Sequence, residues 1–194
     1  MGATGVVVLG LSLEVIGVGL LAWVVGAQGS TWLTVLTLVV YGIGLGLASA
    51  QLTSTVLHDI PADQSGAGSA TQSTVRQLGS ALGAAIAGSA LGSAMNHTIP
   101  DAVTSASRVP ARALDTLVRA TQSSAGSVIP GLRNAPPTSP FIRPLGESRD
   151  AVIGGLETGF AHAAAWSIGL SSLFLIIGLL GAIMVRHQAR KQVS

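Results

Sequence analysis

Gly66–Gly92 reads GAGSATQSTVRQLGSALGAAIAGSALG, with a small residue at nearly every turn and one arginine, Arg76, inside it. Gly79 with Gly83 and Gly88 with Gly92 form two G-x-x-x-G pairs. In a soluble helix each such glycine costs roughly 1 kcal/mol relative to alanine. In a bilayer, small residues let helix backbones approach closely, and packing replaces the hydrophobic drive. The stretch therefore predicts a membrane-spanning helix, Gly66–Met95, packed inside a bundle through these glycines. A Gly/Ala-rich soluble linker or core helix is the competing reading.

Composition favours the membrane. Of the 194 residues 48% are hydrophobic and only 9% are charged, against about 25% charged in soluble domains. The mean hydropathy of +0.62 points the same way. There is no cysteine, so a disulfide framework and a thiolate metal site are both excluded. The net charge is +2, and apart from Arg76 the basic residues lie in one connection and a short tail, with no base-stacking aromatics among them. That pattern argues against nucleic acid as a partner.

Working outward, two apolar runs precede the decisive stretch. Gly5–Gly26 is long enough to cross a hydrocarbon core of about 30 Å at 1.5 Å per residue. It is too long for an ordinary signal-peptide core, and Met1–Thr4 carries no basic residue. Glu14 sits near its middle. An intramembrane carboxylate marks either a functional site or a protonated or paired group that only positions helices. Ala27–Thr31 is a short uncharged turn, so the next span, Trp32–Leu57, is an antiparallel neighbour with Trp32 as an interface anchor. Within it, Gly42-x-Gly44-x-Gly46 suggests a dinucleotide loop, but Leu47 and Ser49 stand where the third glycine is required. Close helix packing is the better reading of these glycines.

His58–Ser65 is a polar turn, with Pro61 ending one helix and Ser65 capping the next. His58, Asp59 and Asp63 raise a metal site, although so short a polar turn is ordinarily just solvated. Beyond Met95 comes a long polar connection, 96–150, carrying seven of the eight prolines and six arginines. In it Leu114, Leu117, Val118 and Thr121 share one helical face, and Arg112, Asp115 and Arg119 another. This predicts a short amphipathic helix over Ala111–Thr121, lying on the membrane or on the loop itself. The proline-rich stretch from Arg133 to Pro144 is expected to be extended and mobile. Asn96-His97-Thr98 matches a glycosylation acceptor by pattern alone. A last span, Gly159–Val185, leads into the basic tail Arg186-His187-Gln188-Ala189-Arg190-Lys191, which places the C-terminus in the cytoplasm. His162, near the start of this span, reads as an interfacial residue. The expected class is an all-α integral membrane protein of the cell membrane. Its four helices cover 5–26, 32–57, 66–95 and one within 151–194, and 96–150 is a long extracytoplasmic loop.

Gly42-x-Gly44-x-Gly46, then Pro61, Gly66, Gly68, Arg76-Gln77-Leu78-Gly79 and Gly83, together resemble a known family. The pattern is similar to the C-terminal end of the fourteen-span drug:proton antiporters of the major facilitator superfamily. Gly159-Phe160-x-x-Ala163 entering the last span is similar as well. The resemblance implies that the four spans are the last four of fourteen, a partial major facilitator fold and a C-terminal piece of a multidrug exporter. Such a piece is not expected to transport alone. Its implied partners are the upstream helices, the bilayer, protons and a lipophilic or cationic drug. Arg76, Gln77 and Glu14 become the transport or structural residues, and no cofactor or metal is implied. The family's basic signature loop and its upstream membrane acids are absent here. The rival from another class is a free-standing four-span protein that binds a partner or oligomerises through its glycine-rich helix. An enzyme lacks support, since paired carboxylates, H-E-x-x-H and G-x-S-x-G are all missing.

Overall fold

The computed structural model describes residues 3–27, 29–57, 60–104 and 109–191. Among these the chain is helical, without strands: α1 (Ala3–Gly26), α2 (Thr31–Leu57), α3 (Ser65–Val103), α4 (Ala111–Ser123), α5 (Ile129–Asn134) and α6 (Arg149–Lys191). Short 3-10 turns at Ala62–Gln64 and Arg143–Ser148 precede α3 and α6. Four helical stretches, in α1, α2, α3 and the segment ending in α6, are long and apolar enough to cross a membrane. At 1.5 Å per residue, the 39 residues of α3 and the 43 of α6 extend about 58 and 65 Å, roughly twice a hydrocarbon core. The chain divides into two compact units. The first is Met1–Val24, Gly29–Ala87 and Ile168–Ser194; the second is Val25–Gln28 and Gly88–Ser167.

In the first unit α1 and α2 touch backbone to backbone. A Cβ on Gly10 would lie 2.6 Å from the Ala48 nitrogen and 2.7 Å from the Gly44 carbonyl oxygen. One on Gly44 would meet the Gly10 oxygen at 2.6 Å and the Glu14 nitrogen at 2.7 Å, and one on Gly17 the Tyr41 nitrogen at 2.7 Å. Residues 10, 14 and 17 on α1, and 41, 44 and 48 on α2, repeat every three or four positions, which puts each set on one helical face. Ser30 starts α2 as its cap, its hydroxyl oxygen accepting from the Trp32 N–H at 3.3 Å. Away from this seam the large side chains point outward: Trp23, Trp32, Ile43, Leu82, Phe174 and Met184 are all exposed. Such a continuous apolar surface is far from that of a soluble monomer.

The second unit takes in the long polar connection 96–150. It has a hydrophobic core of its own, built from Met95, Ile99 and Val103 of α3, Leu117 and Val118 of α4, Ile129 and Leu132 of α5, and Val152, Ile153 and Leu156 of α6. Ile142 of the proline-rich stretch and Leu145 just after it are buried in the same core, so that stretch forms turns rather than an extended arm. α3 continues past Met95 because its next turns have partners. The Thr98 hydroxyl donates to the Ala94 and Gly159 carbonyls at 3.1 and 2.7 Å, and Ile99 is fully buried. Gly155 and Gly159 allow the approach, since a Cβ at either would strike backbone of α3 at 2.7–2.8 Å. Pro100 sits inside α3 and leaves the Asn96 carbonyl without its helical donor.

α4 covers the expected amphipathic stretch. Leu117, Val118 and Thr121 are buried and Leu114 half-buried, while Asp115 accepts from Arg119 Nε at 3.1 Å on the solvent side. Its apolar face is spent on the unit's core, which favours the loop-surface reading over a membrane-surface helix. Ala125 and Gly126 then reverse the chain with positive φ of 47° and 81°. Gly126 has no room for a side chain: a Cβ would lie 2.6 Å from the Phe160 ring. Arg149 closes the unit. Its Nη2 donates to the carbonyls of Leu132, Arg133 and Ala135 at 3.4, 2.8 and 2.9 Å, satisfying the open C-terminal end of α5.

Candidate functional site

The site is built where α2 and α3 leave the Ala62–Gln64 turn. Thr53 on α2 and Gln72 on α3 meet there, Gln72 Nε2 donating to Thr53 Oγ1 at 3.3 Å. One turn further along α3 stands Arg76, exposed. A polar recess of about 210 Å³ is lined by Thr53, Ser69, Gln72, Ser73 and Arg76. A second, apolar groove of about 580 Å³ shares Gln72 and Arg76 and is otherwise walled by Leu52, Ile60, Gly68, Thr71 and Val75. Among the described residues, neither is lined by an acid.

A third groove, about 450 Å³, is lined by all four long helices of the first unit. Val18 and Leu21 come from α1, Leu38 and Tyr41 from α2, Ser80, Gly83 and Ala87 from α3, and Ser171 and Phe174 from α6. It is mostly apolar, with the hydroxyls of Tyr41, Ser80 and Ser171 as its polar points.

The residues singled out from sequence fall into separate places. Glu14 is shut into the α1–α2 seam at 5% exposure, its backbone nitrogen under Gly44. Arg76 and Gln77 lie exposed on α3. Among the described residues the ion pairs are Arg119–Asp115 and Arg133–Glu157, so Glu14 and Arg76 do not pair. Asp63 is exposed, and the metal reading of the turn falls largely on His58 and Asp59, which lie outside the described residues.

Of the glycines expected to pack helices, Gly44 does. Gly42, Gly46, Gly79, Gly83, Gly88 and Gly92 have open space where a Cβ would stand. The partners of Gly44 in the α1–α2 seam are Gly10 and Gly17, which sequence reasoning passed over. Their signal is present as a seven-residue repeat opposite Gly44. Arg149 was hidden too, because a carbonyl clamp has no sequence pattern. The Asn96-His97-Thr98 motif lies inside α3 with the Thr98 hydroxyl already engaged. The chain matches no protein-family model, no curated protein and no solved structure.

Proposed function

We propose that this chain supplies the last four spans of a proton-coupled drug exporter of the major facilitator type, seated in the cell membrane with its C-terminus cytoplasmic. One observation carries the reading. Ser69, Ser73, Arg76, Gln77 and Ser80 are exposed along the first half of α3, in a unit whose other outward side chains are mainly hydrocarbon. A helix of that kind is costly against acyl chains, where an arginine at mid-span is expensive. It suits the wall of a polar cavity whose opposite wall comes from the upstream half of a transporter. The apolar groove beside Tyr41 and Ser80 fits a lipophilic or cationic drug body. Glu14, sealed in a helix seam, suits a positioning role, and the exchanging carboxylate belongs to the upstream spans.

Transport by rocking needs two halves, so four spans alone should move nothing. Expressed in a pump-deficient strain, the chain is expected to leave ethidium accumulation unchanged at confirmed membrane levels. Energy-dependent efflux by this chain alone would overturn the reading. The rival, a free-standing protein that oligomerises, draws on the open Gly79 and Gly83 face of α3. Oxidative dimerisation of Ser80→Cys in membranes at low expression would favour that rival.

A further inference from the structure

We propose that the outer edge of the bilayer runs at Trp23, Trp32 and Trp166, whose indole rings anchor the chain in the ester-carbonyl layer of the lipid. The inference rests on the four helices crossing a membrane, and not on the chain serving an exporter. These are the three tryptophans of the chain, and all are open, at 68%, 73% and 74% exposure. Each closes the apolar surface of its own helix. Among the described residues, Trp23 is the last exposed large hydrophobic of α1, Trp32 the first of α2 and Trp166 the first of α6. An indole suits such an edge, since its ring lies among acyl chains while its N–H donates to a carbonyl.

Charge and length on α6 mark the same edge. Before Trp166 the helix carries Arg149, Asp150 and Glu157, with Val152, Ile153, Leu156 and Ala163 turned into the second unit's core. Over 167–185 it carries no charge, and Leu173, Ile177, Leu180 and Met184 are exposed. Arg186 lies 20 residues beyond Trp166, about 30 Å of helix, which is the thickness of a hydrocarbon core. On α1, Trp23 likewise stands 20 residues from Ala3. The end of α1 and this part of α6 meet, since a Cβ on Gly26 would lie 3.1 Å from that of Ala165. The last span is then 166–185, and 159–165, though largely apolar, stands outside the lipid.

Tryptophan fluorescence of the full chain in phosphatidylcholine vesicles tests this. Quenching by lipids with a nitroxide high or low on the acyl chain gives the depth of an indole, and iodide gives its contact with water. All three indoles should lie about 15 Å from the bilayer centre, half the hydrocarbon thickness, so the unaltered chain should return one depth. Trp23→Phe with Trp32→Phe leaves Trp166 alone, and it should report that same depth. With all three replaced by phenylalanine, at unchanged helix content by circular dichroism, Ile177→Trp should report the bilayer centre, about 16 Å further in. Phe141→Trp, exposed in the second unit, should be quenched by iodide alone. Should the tryptophan-free background not fold, the single depth of the unaltered chain decides. A span beginning at Gly159 would put Trp166 about 10 Å deeper. That depth, several depths in the unaltered chain, indoles reached by iodide and by no nitroxide, or indoles shielded from both would each overturn the proposal. A deep Ile177→Trp beside a misplaced Trp166 would refute the edge alone, whereas an Ile177→Trp that no nitroxide reaches would refute the crossing with it.

Discussion

Gly44→Ala is expected to break the α1–α2 hairpin, while Gly42→Ala and Gly46→Ala leave it intact. The three glycines are two residues apart in sequence, but only Gly44 faces the seam. Its added methyl would stand 2.6 Å from the Gly10 oxygen and 2.7 Å from the Glu14 nitrogen, both backbone atoms that no rotamer change can move. The helices must separate, and the contacts from Gly10 to Ala48 loosen with them. Overpacking of this kind costs typically 1–3 kcal/mol, and backbone on both sides puts this case at or above the upper end. At Gly42 and Gly46 there is open space, so alanine there is neutral or gains up to about 1 kcal/mol of helix propensity. Thermal unfolding of the three variants in one detergent, followed by circular dichroism, separates them. A midpoint for Gly44→Ala equal to that of Gly42→Ala would contradict the seam.

Leu156→Ala should unlock the second unit. Leu156 is wholly buried in the core that α3, α4, α5 and α6 share. Leu-to-Ala changes in such cores cost about 2–5 kcal/mol, depending on how far the cavity collapses. Amide hydrogen exchange in α4, around Leu117 and Val118, should accelerate by roughly 30- to 4,000-fold. Leu78→Ala, on the exposed face of α3 at 59% exposure, should change those amides little. Unchanged protection in Leu156→Ala would mean that α4 does not depend on this core.

That contrast marks where the sequence was legible. α1 and α2 end within two residues of the expected 5–26 and 32–57, because a long apolar run and a capped turn are local signals. α4 was readable for the same reason, its apolar positions repeating three and four apart over a charged back. The ends of α3 and α6 were not. Asn96, Thr98 and Pro100 look like a helix stop, and only the Gly159 carbonyl and the buried Ile99 show why the helix continues. Likewise Val152, Ile153 and Leu156 are too few, among Asp150, Glu157 and Thr158, to announce a span. Their core partners on α3 lie about fifty residues away. The α1–α2 seam was half visible, since Gly44 stood out in its glycine triplet while Gly10 and Gly17 were lost in an apolar run. Arg76 was visible as a lone charge, but the hydroxyl recess around it depends on Thr53, which reaches it only through the hairpin.

Four crossings fix which segments face which side of the membrane. The chain has no cysteine of its own, so single cysteines at Ser30, Gln64 and Ser127 report cleanly. Ser30 lies in the α1–α2 turn, Gln64 just before α3 and Ser127 between α4 and α5; all three are exposed. In intact cells an impermeant maleimide is predicted to label the cysteines at 30 and 127 and to spare the one at 64 until the membrane is opened. Labelling of Gln64→Cys alone in intact cells, or of all three alike, would contradict four crossings with the second unit outside and the tail within.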